Sequence, residues 1–335
     1  MRSGRYAAID VGTVTCRLLV ADVDEAGLHE IERDHAIANL GEGVDASRML
    51  KPAAIRRVAE TLAGFTETLA QLAPSDGSRI DTVAFATSAA RDAKNCNELV
   101  ERVAEEGIDL AVISGEREAS LSFAGASCDF PGESLAVVDI GGGSTELALG
   151  RFGSSPDHFH SFNVGCRRVT EKFFSDDPPS KGDLARAHAW VMAEMRPFFE
   201  SMDPRMASPD RLVAVAGTAT TVVSVRDHMA TYDAERVHGS LVNREDLDEV
   251  SHRLASVPLG ERRRVVGLEP ERASVIVAGL VIMQAVLDLF GIGSFTVSEA
   301  DILHGAIMDI ASENTAVVPT ASDAPFALHL KKMPS

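Results

Sequence analysis

The sequence predicts an α/β protein made of two domains of one fold, each a mixed sheet flanked by helices. A repeat carries most of that prediction. The stretch Ala8-Ile9-Asp10-Val11-Gly12-Thr13-Val14-Thr15-Cys16-Arg17-Leu18 returns, recast, as Val137-Val138-Asp139-Ile140-Gly141-Gly142-Gly143-Ser144-Thr145-Glu146-Leu147. Each copy is an apolar run ending in Asp-x-Gly, then small or hydroxyl residues, then a second strand-forming run, which is the pattern of a β-hairpin. The second observation is the alternation of strand and helix patterns along the rest of the chain, which indicates α/β layers. The antiparallel hairpins make the sheets mixed.

The elements follow in order. The first hairpin covers residues 5–23, and Leu28 to Ala38 continues as a third strand. Lys51-Pro52 opens a helix to about Leu72: proline suits a first helical turn, and Ile55, Val58, Leu62, Phe65 and Leu69 recur at helical spacing. Asp81 to Ala86 reads as a strand, Asn97 as the cap of a helix ending at Gly107, and Leu110 to Ile113 as a short strand. Ser114-Gly115 begins a helix through about Ala126, and Pro131-Gly132 marks the domain junction. After the second hairpin come a strand at 159–164, a helix at 181–202, and a strand at 211–216 running into Gly217-Thr218. Helices are expected at 244–255, 271–290 and 299–310. The expected domains are 1–130 and 131–311, with a disordered tail at 312–335.

Composition narrows the class. Of 335 residues, 45% are hydrophobic and 24% charged, a globular balance with room for two cores. No apolar run reaches membrane-spanning length, and Met1-Arg2-Ser3-Gly4-Arg5 leads straight into a strand. Cys16, Cys96, Cys128 and Cys166 show no zinc-ligand spacing and read as reduced thiols, so a cytoplasmic location is expected. A net charge of −18 argues against nucleic acid and anionic membranes as partners. A polyanionic ligand would need a local set of cations. Arg56-Arg57, Arg167-Arg168 and Arg262-Arg263-Arg264 are candidate clusters, with solvated helix faces as the alternative.

The turns carry the chemistry. Three consecutive glycines after a buried strand, Gly141-Gly142-Gly143-Ser144, suit a backbone that a ligand approaches closely. Bared N–H groups there, and at Thr13-Val14-Thr15 in the first copy, can cradle phosphate oxygens. Asp10 and Asp139 end apolar strands, where a carboxylate is costly unless a cation or hydrogen bonds offset it. Arg17 and Glu146 occupy equivalent positions of the returning strands, a base and an acid that suggest phosphate binding in one copy and metal binding in the other. Glu118 starts a helix, whose N-terminus favours the ionised carboxylate. Arg91 follows a strand and offers a planar fork to phosphate.

These residues resemble the exopolyphosphatase and guanosine pentaphosphate phosphohydrolase (Ppx/GppA) family. Seven ordered segments carry the resemblance: the two hairpins, Ala86-Thr-Ser-Ala-Ala-Arg91, Ile113-Ser-Gly-Glu-Arg-Glu118-Ala, Gly165-Cys-Arg-Arg168, Ala216-Gly217-Thr218-Ala-Thr-Thr221 and Pro270-Glu-Arg272-Ala. The resemblance implies two ribonuclease-H-like domains of the actin-like ATPase superfold, with an active site in the interdomain cleft. It implies Glu118 as catalytic base, and Mg²⁺ (or Mn²⁺) held through Asp10, Asp139 and Glu146. It further implies phosphate binding by Thr13, Val14, Thr15, Arg17, Arg91, Gly141, Gly142, Gly143, Ser144, Arg168, Gly217, Thr218 and Arg272. Three departures stand out: Val14 replaces an amide side chain, Arg117 replaces one of a pair of acids, and His304 stands where an arginine often precedes the glycine. The chain also ends before the additional C-terminal domain of the long members.

The expected activity is Mg²⁺-dependent hydrolysis of the terminal phosphate of inorganic polyphosphate. The alternatives are removal of the 5′ phosphate from a phosphorylated guanosine nucleotide, an ATP-dependent kinase, and a polyphosphate or alarmone sensor without turnover. A homodimer is a candidate assembly.

Overall fold

The computed structural model describes residues 1–75, 79–203, 208–312 and 327–329. The chain forms two units: Met1–Gly132 with Arg151–Pro156 and Ala300 onward, and Glu133–Gly150 with Asp157–Glu299.

The first unit carries a six-stranded sheet in the order β12-β3-β2-β1-β4-β5. Its strands are β1 (Gly4–Val11), β2 (Thr15–Val23), β3 (Gly27–Ile37), β4 (Asp81–Ala86), β5 (Leu110–Val112) and β12 (Ala327–His329). β1, β2 and β3 pair antiparallel, while β4 runs parallel to β1 and β5 parallel to β4. Both faces are covered, so β1 reads as a nearly unbroken apolar run. Ala7, Ile9 and Val11 pack with the helix Pro52–Gln71, on one face. Tyr6 and Ala8 pack on the other face with Leu121, Ile302, Leu303 and Ile307.

The second unit repeats this plan in the order β10-β11-β9-β6-β7-β8. Here β6 (Leu135–Ile140), β7 (Thr145–Gly150) and β8 (His158–Phe162) form the antiparallel meander. β9 (Arg211–Val215) and β11 (Ser294–Val297) add parallel strands, and β10 (Leu241–Asn243) closes the edge. A three-stranded meander extended by parallel strands beside its first strand is the ribonuclease-H-like order, and the chain contains it twice. The helix Ile276–Phe290, apolar on nearly every side, fills the core of this unit.

Several expectations change. The helix Ile302–Ala311, expected with the second domain, groups with the first unit, because its apolar surface is buried between one face of that sheet and the helix Gly115–Ser127. The expected helix 271–290 is a 3₁₀ turn, Pro270–Ser274, followed by Ile276–Phe290. Gly217-Thr218, expected at the end of a strand, stands instead in the first turn of a helix, Ala216–Arg226. Asn95, not Asn97, precedes the helix Cys96–Ala104. Its side chain serves Leu50 instead of the helix, accepting from the Leu50 N–H at 2.8 Å and donating to the Leu50 carbonyl at 3.1 Å. The expected tail lies outside the described residues, apart from Ser312 and β12. No described helix is long and apolar enough to cross a membrane.

Candidate active site

In the first unit, the residues of interest gather at the carboxyl ends of parallel strands, the edge where open α/β sheets bind ligands. Asp10 closes β1, Thr87 and Ser88 follow β4, and Ile113 and Ser114 follow β5. Asp10 stands directly opposite Arg17 in the β1–β2 register. Arg17 Nε and Nη2 donate to Asp10 Oδ2 at 3.0 and 2.6 Å, and Nη1 pairs with Asp301. Asp10 is 4% exposed, and its Oδ1 is buried without a hydrogen-bond partner. Burial pushes the Asp10 carboxyl above its ordinary range, against the pull of the Arg17 guanidinium. Burial acts the same way on Asp301, but the Arg17 guanidinium overrides it and holds Asp301 well below the usual carboxylate range.

The turn after β1 is tight: the Gly12 N–H donates to the Thr15 carbonyl at 2.9 Å. The carbonyls of Thr13 and Val14 accept from Gly41 and Asn39, both at 2.8 Å, and the Val14 side chain is buried. Any phosphate contact of Val14 is therefore through its backbone.

Glu118 lies in the first turn of the helix Gly115–Ser127, which Ser114 caps by accepting the Arg117 N–H. It is 8% exposed. Arg91 holds Glu118 Oε2 at 2.8 Å through Nη1, which also donates to the Ile113 carbonyl at 3.0 Å. The expected base and one expected phosphate ligand thus meet, on segments that sequence spacing alone would not join.

In the second unit, Asp139 stands opposite Glu146 in the β6–β7 register, so the equivalence of the two hairpins is one of register as well as sequence. Both carboxylates are buried, and directly opposed like charges repel unless donors or a cation offset them. Ser161 on β8 donates to Glu146 Oε1 at 2.6 Å. The glycine loop is pinned from one side. Its Gly141 and Gly142 carbonyls accept the N–H groups of Cys166 and Arg167 at 2.9 and 2.8 Å, and the Gly143 carbonyl accepts Arg168 Nε at 3.0 Å. Those bonds occupy the carbonyls, and the Gly141 N–H closes the turn by donating to the Ser144 carbonyl at 3.0 Å. None of the three glycines adopts a positive φ, so a left-handed backbone does not account for the triplet. A Cβ at Gly165 would come within 2.4 Å of the Gly142 carbonyl oxygen.

Gly217 and Arg272 are neighbours: a Cβ on Gly217 would stand 1.9 Å from Arg272 Nη1. Arg272 Nε pairs with Glu269 at 2.5 Å. Thr218 is buried, and its hydroxyl donates to the Ile140 carbonyl at 3.4 Å. Ser144 is buried as well. Of the basic cluster at 262–264, Arg262 is structural: its guanidinium meets the carbonyls of Leu254, Val257 and Ala273 and the Asp177 carboxylate.

Sequence reasoning missed Asp301, Glu30 and Ser161. For Asp301 a signal existed, since Asp301-Ile-Leu-His304 has the spacing of a capping box. Glu30 and Ser161 gave none, because only strand pairing brings Ser161 to Glu146 and only the packing of the helix Ile302–Ala311 brings His304 to Glu30.

Comparison with known proteins agrees with this architecture. Exopolyphosphatase 2 of Mycobacterium tuberculosis is 35% identical over 323 residues, spanning 92% of this chain and 98% of that protein. A bifunctional 3-dehydroquinate synthase/phosphatase of Fusobacterium nucleatum is 34% identical over 316 residues, 90% of this chain but 46% of that protein's length. The crystal structure of an exopolyphosphatase from Cytophaga hutchinsonii superposes with a TM-score of 0.84 at 26% identity, covering 95% of this chain and 100% of that one. Residues 19–314 match the Ppx/GppA phosphatase family, and with the doubled hairpin and the sheet order this shows that the chain belongs to it.

Proposed function

We propose that the protein is an exopolyphosphatase that hydrolyses the terminal phosphoanhydride bond of inorganic polyphosphate. The observation that carries this reading is the Arg91–Glu118 pair at the carboxyl edge of the first sheet, a buried carboxylate beside a phosphate-binding fork. Glu118 accepts the proton of a water whose oxygen attacks the terminal phosphorus. The bond from that phosphorus to its bridging oxygen breaks, and orthophosphate leaves. The bridging oxygen departs with the shortened chain. The guanidinium of Arg91, beside Glu118, neutralises phosphate oxygens as charge shifts.

The donor set suits Mg²⁺ (or Mn²⁺), a hard cation that takes carboxylate oxygens. In the second unit Asp139 and Glu146 face each other across the β6–β7 ladder; in the first unit, separately, Asp10 carries a buried carboxylate oxygen without a hydrogen-bond partner. Among the described residues no three His, Cys, Asp or Glu side chains converge as a cage. Mg²⁺ does not need one, since it keeps several waters and binds through one or two carboxylates and substrate phosphates. When bound, the ion would supply charge neutralisation at the phosphate oxygens.

The test is phosphate release from long polyphosphate, short polyphosphate, guanosine pentaphosphate and ATP. Glu118→Gln should lose about 10²–10⁴-fold in kcat while polyphosphate binding persists. Wild-type turnover in that variant would remove Glu118 as the base. A higher kcat/KM on guanosine pentaphosphate would reassign the substrate, and tight binding without turnover would indicate a sensor.

A further inference from the structure

We propose that Asp301 is a positioning residue that fixes the Arg17 guanidinium, and that His304 and Glu30 fix Asp301 in turn. Its kinetic consequence rests on the polyphosphate reading; its structural consequence does not.

The Asp301 carboxylate does two things. Oδ1 accepts the Leu303 N–H at 3.0 Å and caps the helix Ile302–Ala311. Oδ2 takes Arg17 Nη1. Since Arg17 Nε and Nη2 are held by Asp10, its planar fork is gripped from two directions and its orientation is set. Behind Asp301, its own N–H donates to His304 Nδ1 at 3.2 Å. That places the ring proton on Nε2, which donates to Glu30 Oε1 at 2.8 Å. Glu30 is also paired with Arg33. The His304 and Glu30 side chains are 1% and 2% exposed, so these bonds are shielded from water. The series Arg33, Glu30, His304, Asp301, Arg17, Asp10 thus links β3, the last helix, β2 and β1.

Helix capping alone does not explain an acid here. Serine caps a helix about as well, and an ionised carboxylate is costly to bury unless a cation meets it. The Arg17 contact supplies that reason. His304 is not needed as an arginine in this arrangement: it must accept from a backbone N–H and donate to a carboxylate, which imidazole does and guanidinium cannot.

The experiment uses the full chain with four variants. Asp301→Ser keeps a capping oxygen and removes the Arg17 partner. His304→Gln keeps one acceptor and one donor, and His304→Leu keeps neither. Arg17→Gln assigns the Arg17 Nη1–H signal in ¹⁵N NMR spectra recorded without substrate or metal. That signal should exchange with water slowly in the wild type and His304→Gln, and about tenfold faster in Asp301→Ser and His304→Leu. In phosphate release, Asp301→Ser should lower kcat/KM about tenfold in the native background and less than about twofold in the Arg17→Gln background. A purely structural defect would cost the same factor in both. Unchanged exchange in Asp301→Ser, or equal losses in both backgrounds, overturns the positioning role. Wild-type protein that shows the slow-exchanging signal but releases no phosphate overturns the proposed reaction and leaves the positioning of Arg17 supported.

Discussion

One position of each hairpin separates the two halves of this protein. Across the strand pair, Asp10 meets an arginine and Asp139 meets a glutamate. The first pair nearly cancels, while the second concentrates negative charge where a divalent cation is the natural counterpart. Asp139→Asn and Glu146→Gln should therefore raise the Mg²⁺ concentration needed for half-maximal phosphate release by about tenfold, a change of about 1.4 kcal/mol, and partly recover at high Mg²⁺. An Mg²⁺ titration that overlays the wild type in both variants would count against that assignment. Gly217 is a second single-atom case. Alanine there would put a methyl group within 1.9 Å of Arg272 Nη1, so the guanidinium must move. Gly217→Ala should raise KM for polyphosphate several-fold with little loss of thermal stability, because the displaced group is the end of a partly exposed side chain and not the core.

Two helices depend on each other's glycines. A Cβ on Gly305 would lie 2.0 Å from the Leu121 carbonyl oxygen, and one on Gly125 would lie 2.0 Å from that of Asp301. The helices Gly115–Ser127 and Ile302–Ala311 thus touch backbone to backbone, and the contact holds Glu118 and Asp301 on fixed supports. Gly305→Ala should destabilise the fold by about 1–3 kcal/mol, read as a lowered midpoint in thermal unfolding, since backbone cannot swing aside as a side chain can. The basic cluster at 262–264 divides in the same way. Arg262→Ala strips hydrogen bonds from three buried-side carbonyls and should cost about 3 kcal/mol, whereas exposed Arg263→Ala should change stability by less than about 0.5 kcal/mol. Amphipathic helices such as Pro52–Gln71 were legible in sequence because one face is apolar and the other charged. Ala216–Arg226 was not: its threonines and valines favour strands locally, and burial against the second sheet overrides that preference.

At the scale of the whole molecule, charge is the governing constraint. A chain of net charge −18 that takes a polyanion must do so through few cations, and those with candidate roles already have protein partners. Arg17 holds Asp10 and Asp301, Arg91 holds Glu118, Arg272 holds Glu269, and Arg168 meets the Gly143 carbonyl. Phosphates binding these side chains would compete with carboxylates at Arg17, Arg91 and Arg272 and with a backbone carbonyl at Arg168. KM for long polyphosphate should rise steeply between about 0.05 and 0.2 M salt, and neutralising Arg91, Arg168 or Arg272 should flatten that dependence. A KM unaffected by ionic strength in the wild type and all three variants would exclude a confined cationic track.

The sequence by itself determined the duplicated hairpin, the α/β class, most helices and strands, and the positions of Asp10, Arg17, Asp139 and Glu146, because these rest on local periodicity and on turn chemistry within a few residues. It did not determine which side chains share a bond. Arg91 with Glu118, Arg17 with Asp301, and Glu30 with His304 are separated along the chain by between 27 and 284 residues. Only the packing of β-strand edges and helix ends in three dimensions brings them within reach. The grouping of the last helix with the first unit was decided at that level too, since an apolar helix records that it is buried but not against which sheet.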